Sequence, residues 1–293
     1  MHLKKHPAKS LLMAYIDLLK LNIMSLVLVS SILGYYLGGN GIDSFSRLLI
    51  TLFGTTLTAG GAGALNHYLE RDADSLMERT KNRPIPKGII QPGNALMFGI
   101  LLVLAGTVIL VMQINLLTGF LSILTAFLYV LVYTPLKRIT WLNTSIGSVP
   151  GALPPMGGWA AATGELETGA WILFAIMFLW QHPHFYAIAW MCKEDYARVN
   201  FKMLPVIEPD GKRTIRQIFW HLALLIPVSI FPYLYGSSGF VYLSGVLILS
   251  VLYLISAVPL ARKKTNNNAK LLLRSSVLYL PGLLLLIVFD KII

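Results

Sequence analysis

Nine stretches of mostly apolar residues constrain this chain more than any other feature. They run near 18–38, 46–69, 94–112, 115–133, 145–162, 169–191, 216–235, 240–261 and 271–289. Each is close to the roughly 20 residues that an α-helix needs to cross a bilayer. No water reaches a peptide group inside hydrocarbon, so such a segment must satisfy its own backbone as a helix. The expectation is an all-α, polytopic membrane bundle of nine transmembrane helices. It forms one domain over residues 1–293, with a basic cytoplasmic tail at 1–12. Composition agrees, because 56% of the residues are hydrophobic and only 13% charged, against roughly 25% charged in a soluble domain. The fifth stretch is the least apolar, interrupted by Pro150, Pro154, Pro155 and four glycines. Its backbone survives in lipid only where neighbouring helices re-satisfy it, which places it inside the bundle. Small residues four apart, Gly147 with Gly151 and Gly60 with Ala64, would let helices approach closely.

A net charge of +11 suits nucleic acid, but the positions of the charges assign it to orientation in the lipid bilayer. With the N-terminus cytoplasmic and the C-terminus external, all of the 24 basic residues except Arg47 and Lys291 fall on the inner side. That is the positive-inside pattern, obeyed at every loop, and it leaves no reason to expect a nucleic-acid partner. The single cysteine, Cys192, excludes an internal disulfide and a Cys-rich metal site. The N-terminus is basic and precedes an apolar stretch, as in a signal peptide. Asp17 and Lys20 interrupt that stretch and no cleavage site follows, so it reads as mature protein.

The outer connections are short, whereas two inner loops are long and polar, so the chemistry is expected on the inner face. The first loop, 66–88, places Asn66, Glu70, Asp74 and Glu78 every four residues, one face of a continuing helix, with Asp72 between them. Carboxylates so close repel by about 4 kcal/mol per pair at 4 Å and an effective dielectric of 20 unless a cation is shared. Oxygen-only ligands suit a hard ion, and Mg²⁺ commonly bridges one or two carboxylates to substrate phosphates. Arg79, Arg83 and Lys87 follow at similar spacing and complete a candidate diphosphate clamp. The plainer reading is a solvated helix end with internal ion pairs. In the second loop, 180–205, Glu194 and Asp195 stand among Lys193, Arg198 and Lys202. A second acidic pair at the same face suggests a two-metal or two-sided diphosphate site. Tyr133, Lys137, Arg138 and Asn143 arrive from the same side, although topology anchoring alone would explain the two cations. His182 and His184 flank Pro183 near a span end, and ionisable groups at membrane depth are functional candidates. No P-loop, HExxH, nucleophile elbow or dinucleotide fingerprint is present.

Asn66-x-x-x-Glu70-x-x-x-Asp74 resembles the N-x-x-x-D-x-x-x-D signature of the UbiA-type membrane prenyltransferase superfamily. The fuller runs NHYLERDADSLMERTKNRP, YTPLKRITWLNT, WQHPHF and KEDY…MLP resemble its haem-farnesylating branch, from about residue 20 to 216. The resemblance implies nine helices around a central cavity that opens to the cytoplasm and sideways to lipid. It implies Mg²⁺ as the metal, farnesyl diphosphate and haem b as substrates, and haem O as product. A downstream haem A synthase in the same cell inner membrane is implied as a partner. Carried over residue by residue, Asn66, Glu70, Asp74, Glu194 and Asp195 would be the metal set. Asp72, Asp74 and Lys137 would be catalytic, while Asn66, Arg79, Arg83, Lys137, Arg138 and Lys193 would hold diphosphate. His184, Trp180 and Tyr133 would face the acceptor. Three departures are visible. Glu70 stands where aspartate is more usual, and Lys20-Leu21-Asn22 replaces a common Lys-Pro-Arg, so that segment receives no role. His182 occupies a place often taken by another residue, so it carries less weight than His184. A sister enzyme acting on a quinone precursor or chlorophyll-type ring would carry spaced aspartates in the second loop, where this chain has HPHF and KEDY. A transporter would carry its charges at mid-span rather than at span ends.

Overall fold

The computed structural model describes residues 10–291, so most of the expected basic tail, with Lys4, Lys5 and Lys9, lies outside the described residues. Helix α1 (Leu11–Leu18) starts within the expected tail, capped by the Ser10 hydroxyl on the Met13 N–H. Then follow α2 (Leu21–Gly38), α3 (Phe45–Leu76), α4 (Pro92–Gln113) and α5 (Leu116–Phe127). Helix α5 runs through a π-helical turn, Leu128–Tyr133, into the short α6 (Thr134–Leu136). The second half holds α7 (Asn143–Thr163), α8 (Thr168–Met191), the short α9 (Lys193–Arg198) and α10 (Leu204–Ile207), then α11 (Lys212–Leu234), α12 (Phe240–Arg262) and α13 (Asn266–Phe289).

Among the described residues, eight helices are long and apolar enough to cross a membrane, one of them the continuous run Leu116–Leu136. The chain is therefore a multi-pass membrane protein. The ninth expected span forms a 21-residue helix, α7, which falls outside that group because glycine and proline dilute its hydropathy. It is buried among the other helices along most of its length. The carbonyls around its prolines are met by neighbours, as the Ser31 hydroxyl donates to Pro154 O at 3.0 Å and the Gln181 amide to Ser148 O at 3.3 Å. A Cβ added at Gly158 would stand 1.9 Å from Ser31 O, and one at Gly34 would stand 1.9 Å from Pro155 O. Backbones of α2 and α7 thus touch directly, which only glycine permits. The small-residue contacts are redistributed from the expected pairing. Gly147 and Gly151 do accept close neighbours, Tyr133 and Gln181, but α3 meets α4 through Gly61 against Gly99 O rather than through Gly60 and Ala64.

Helix α3 has 32 residues, about 48 Å at 1.5 Å per residue, well beyond the roughly 30 Å of a hydrocarbon core. Asn66 lies about 32 Å along it. The polar end of α3 therefore stands at the edge of the apolar layer, where α5 ends and the loop after α8 begins.

Candidate active site

Asn66, Glu70 and Asp74 lie one turn apart on the inner face of α3, at 0, 7 and 0% exposure. The helical spacing forces them onto one stripe, and burial forces each to find a partner. Arg83 Nη1 donates to Asp74 Oδ1 and Oδ2 at 2.7 and 2.6 Å. Lys137 Nζ donates to Glu70 Oε1 at 2.7 Å. Lys20 Nζ donates to Asn66 Oδ1 and, at 3.2 Å, to Tyr129 Oη. The Asn66 amide nitrogen donates to Thr134 Oγ1 at 2.9 Å, which donates to Tyr129 O at 2.9 Å. Three cations from three separate segments thus converge on one stripe bearing two carboxylates. Removing one member of such a buried pair typically costs about 3–5 kcal/mol.

Local backbone irregularities aim these groups. Lys20 has φ 54° between α1 and α2, a left-handed conformation that is uncommon for a residue with a Cβ. Burial, and next the charge of Arg83, lower its ammonium to about 7. The π-helical turn closes with the Thr134 N–H donating to Tyr129 O. Pro135, which has no N–H and crowds the turn before it, follows directly. The wider turn brings Tyr129 and Tyr133 to the same side, their rings stacked at 5.9 Å, and Lys137 Nζ sits 4.5 Å from the Tyr133 ring. Burial pulls the Lys137 ammonium down, but the Glu70 carboxylate outweighs it and holds the lysine above its ordinary value.

The two polar loops are joined by Asp195. Its carboxylate accepts the backbone N–H groups of Glu78 at 3.1 Å and Arg79 at 3.3 Å, and Arg198 Nη1 stands 3.3 Å away. Below this contact Ala73, Met77, Ala189, Val199, Phe201 and Met203 form an apolar cluster that ties the ends of α3 and α8 to the loop after α9. Asp195 therefore acts as a clasp between loops. Glu194 is exposed, and among the described residues no three His, Cys, Asp or Glu groups gather as one metal set. The expected five-residue set of Asn66, Glu70, Asp74, Glu194 and Asp195 is not brought together. Asp72 points out of the stripe, its side chain 80% exposed and 3.8 Å from Arg71, because it lies two residues, or about 200°, from Glu70 on the helix. Arg138 is exposed on a different face, Arg79 lies beside Cys192, and Lys193 stacks on Trp190 at 4.6 Å.

On α8, Trp180 Nε1 donates to Ser276 O at 2.8 Å, and His184 Nδ1 lies 2.7 Å from Ser276 Oγ. The two rings stack at 5.1 Å, so two of the three expected acceptor residues are anchored on α13, while Tyr133 lies apart from them beside Lys137. His182 uses both ring nitrogens, on Phe178 O and Ser145 Oγ, and stacks on His221 at 3.7 Å. Sequence reasoning passed over Lys20, Tyr129, Thr134 and His67. The last is 3% exposed, and its Nδ1 has no hydrogen-bond partner and lies 4.0 Å from Asp74. For His67 a signal existed, since it directly follows Asn66 near the end of the apolar stretch 46–69.

The chain is 46% identical over 286 residues to the protoheme IX farnesyltransferase of Solibacter usitatus, a match that covers 94% of this chain and 98% of that protein. It is equally similar, 46% over 277 residues, to the protoheme IX farnesyltransferase of Salinibacter ruber, with 94 and 98% covered. Among solved structures, the fold superposes on digeranylgeranylglyceryl phosphate synthase with a TM-score of 0.81 at 18% identity, covering 96% of this chain and 98% of that one. A UbiA homologue from Archaeoglobus fulgidus bound to DMAPP and Mg²⁺ matches with a TM-score of 0.69 at 15% identity, covering 94 and 99%. With residues 27–278 matched by the UbiA prenyltransferase family as well, the chain belongs to that family.

Proposed function

We infer that the chain transfers the farnesyl group of farnesyl diphosphate to a vinyl group of haem b, with addition of water, to give haem O. The buried stripe supports the diphosphate half of this reading. Glu70 and Asp74 are each held by a cation, Lys137 and Arg83, and Lys20 completes an excess of positive charge over carboxylate. Such a site is matched to a ligand that brings its own anion together with a metal. The donors Asn66 Oδ1, Glu70 and Asp74 are all hard oxygens, two of them carboxylate, which fits Mg²⁺ shared with phosphate. Mg²⁺ bound there would neutralise charge on the departing diphosphate. Lys20, Arg83 and Lys137 would turn from the acids to the diphosphate oxygens and hold the charge that develops as the allylic C–O bond breaks. The aromatic walls, Tyr129 and Tyr133, would keep water from the allylic cation until the vinyl π-electrons attack.

The haem half rests on the relatives, both named for protoheme IX. His184 and Trp180, anchored by Ser276, would form one wall of the acceptor pocket, with His184 presenting Nε2. We place the N-terminus and the polar loops in the cytoplasm of a cell inner membrane, because the basic residues cluster on that face. Helix α7 counts as the ninth crossing, since its 21 residues extend about 32 Å. The product would pass to a haem A synthase in the same membrane. Purified protein given farnesyl diphosphate, Mg²⁺ and haem b is expected to yield haem heavier by one farnesyl group and one water. Unmodified haem together with a prenylated aromatic acid, when that acceptor is supplied, would overturn the reading in favour of a quinone-pathway enzyme.

A further inference from the structure

At the C-terminal end of α3, on a different face from Asn66, Glu70 and Asp74, lies a cavity of about 530 Å³. Its polar lining is Asp72, Arg138, Arg198, Asn200 and Lys202, and Leu76 forms part of its apolar wall. None of the groups that hold the buried stripe reaches it. The cavity takes up Arg138 and Asp72, two residues that the sequence assigns to the reacting centre.

The charges here differ from ordinary orientation charges. Around the loops most cations near an acid are already paired: Arg83 with Asp74, Lys137 with Glu70, Lys81 with Glu78, Arg213 with Glu208. Within the cavity Asp72 is engaged by Arg71, and Arg198 by Asp195 and Glu78. Arg138 and Lys202 have no acidic partner among the described residues, so two uncompensated cations share one concavity.

The cradle is also built rather than incidental. Lys202 N donates to Lys137 O at 2.6 Å, and the Asn143 side-chain amide donates to Lys202 O at 3.1 Å. The segment bearing Lys202 is therefore stapled to the turn bearing Arg138. Asn200 holds a left-handed φ of 55°, a local cost that the staples sustain. Leu76, in the cavity wall, is 61% exposed, and Ile139, which follows Arg138 in sequence, is 69% exposed. Arg138 stands two residues past the end of the span Leu116–Leu136, at the depth where headgroups lie, so exposed apolar side chains beside it offer a surface to acyl chains.

We propose that this cavity binds the phosphate headgroup of an anionic phospholipid, held by Arg138 and Lys202, with its acyl chains descending over Leu76 and Ile139. Guanidinium and ammonium groups are the usual partners of phosphate, and Arg offers a forked pair of donors. A basic pocket between membrane helices is a recognised form of headgroup site. The apolar rim separates a lipid from a free anion, which would gain nothing from Leu76 and Ile139.

The test is native mass spectrometry of the full chain in detergent, titrated with phosphatidylglycerol and, separately, with phosphatidylcholine. Wild type is expected to retain phosphatidylglycerol in preference. Near a membrane surface each cation is worth roughly a factor of five in affinity. The pair Arg138→Gln with Lys202→Gln should therefore weaken phosphatidylglycerol about 25-fold and leave phosphatidylcholine unchanged. The charge-conserving pair Arg138→Lys with Lys202→Arg should retain it. If the double glutamine variant is not monodisperse, Lys202→Gln alone, at an exposed position, should still show about a fivefold loss. Unchanged phosphatidylglycerol affinity in the glutamine variants overturns the proposal, as does equal retention of phosphatidylcholine. Displacement of the lipid by glycerol phosphate or inorganic phosphate at equal concentration would identify a soluble-anion pocket and overturn it too.

Discussion

At the residue scale, the buried stripe couples each acid to one cation, so conservative substitutions separate charge from shape. Asp74→Asn keeps the volume but leaves Arg83 without its counter-charge and removes a candidate metal oxygen. Turnover is expected to fall roughly 10²-fold or more while the protein still inserts. Product formation at saturating Mg²⁺, alongside gel filtration in detergent, checks this, and wild-type turnover would remove Asp74 from the site. Glu70→Asp retains the charge for Lys137 and should be tolerated better than Glu70→Gln, which leaves a buried ammonium unpaired at a cost of about 3–5 kcal/mol. Comparing the melting temperatures and rates of the two variants distinguishes them. Lys20 was unassigned in the sequence, yet it donates to Asn66. Lys20→Ala should raise KM for farnesyl diphosphate roughly 10–100-fold, the worth of a hydrogen bond to a charged group. A larger effect on KM for haem would place Lys20 with the acceptor instead.

At the element scale, the candidate site depends on segments that meet without much apolar periodicity to guide them. The α2–α7 contact runs through backbone, and Gly158→Ala would drive a Cβ to 1.9 Å from Ser31 O. Neither backbone can yield without separating the helices, so a loss of about 1–3 kcal/mol or more is expected, read as a lower melting temperature in detergent. Gly157 has open space at the same point, and Gly157→Ala should melt like wild type. Helix α7 was the least legible element from composition, because its three prolines and four glycines argue against a helix by propensity. Its helicity comes from neighbours that satisfy its carbonyls, Ser31 and Gln181. The π-helical turn at Leu128–Tyr133 was not legible at all. Apolar periodicity cannot distinguish one extra residue per turn in a segment that is apolar all round.

At the scale of the whole molecule, Glu70 and Asp74 are each paired with a protein cation, so the fold is expected to hold without a metal. Treatment with EDTA should abolish prenyl transfer, and Mg²⁺ should restore it, with far-UV circular dichroism and the melting profile unchanged. Unfolding on chelation would show that the metal is structural. By itself the sequence determined the class, eight of the nine expected spans and the stripe. A run of apolar residues has one helical solution in lipid, and a four-residue spacing places Asn66, Glu70 and Asp74 on one face wherever the helix lies. Which partners meet that stripe was decided only by tertiary structure. Lys20, Arg83 and Lys137 come from segments with no common period, and Asp72, only two residues before Asp74, turns outward into a separate cavity. Helical rotation can be counted along one element. The approach of separate elements depends on packing, glycine contacts and loop closures such as Asp195 on Glu78 and Arg79, which no local pattern encodes.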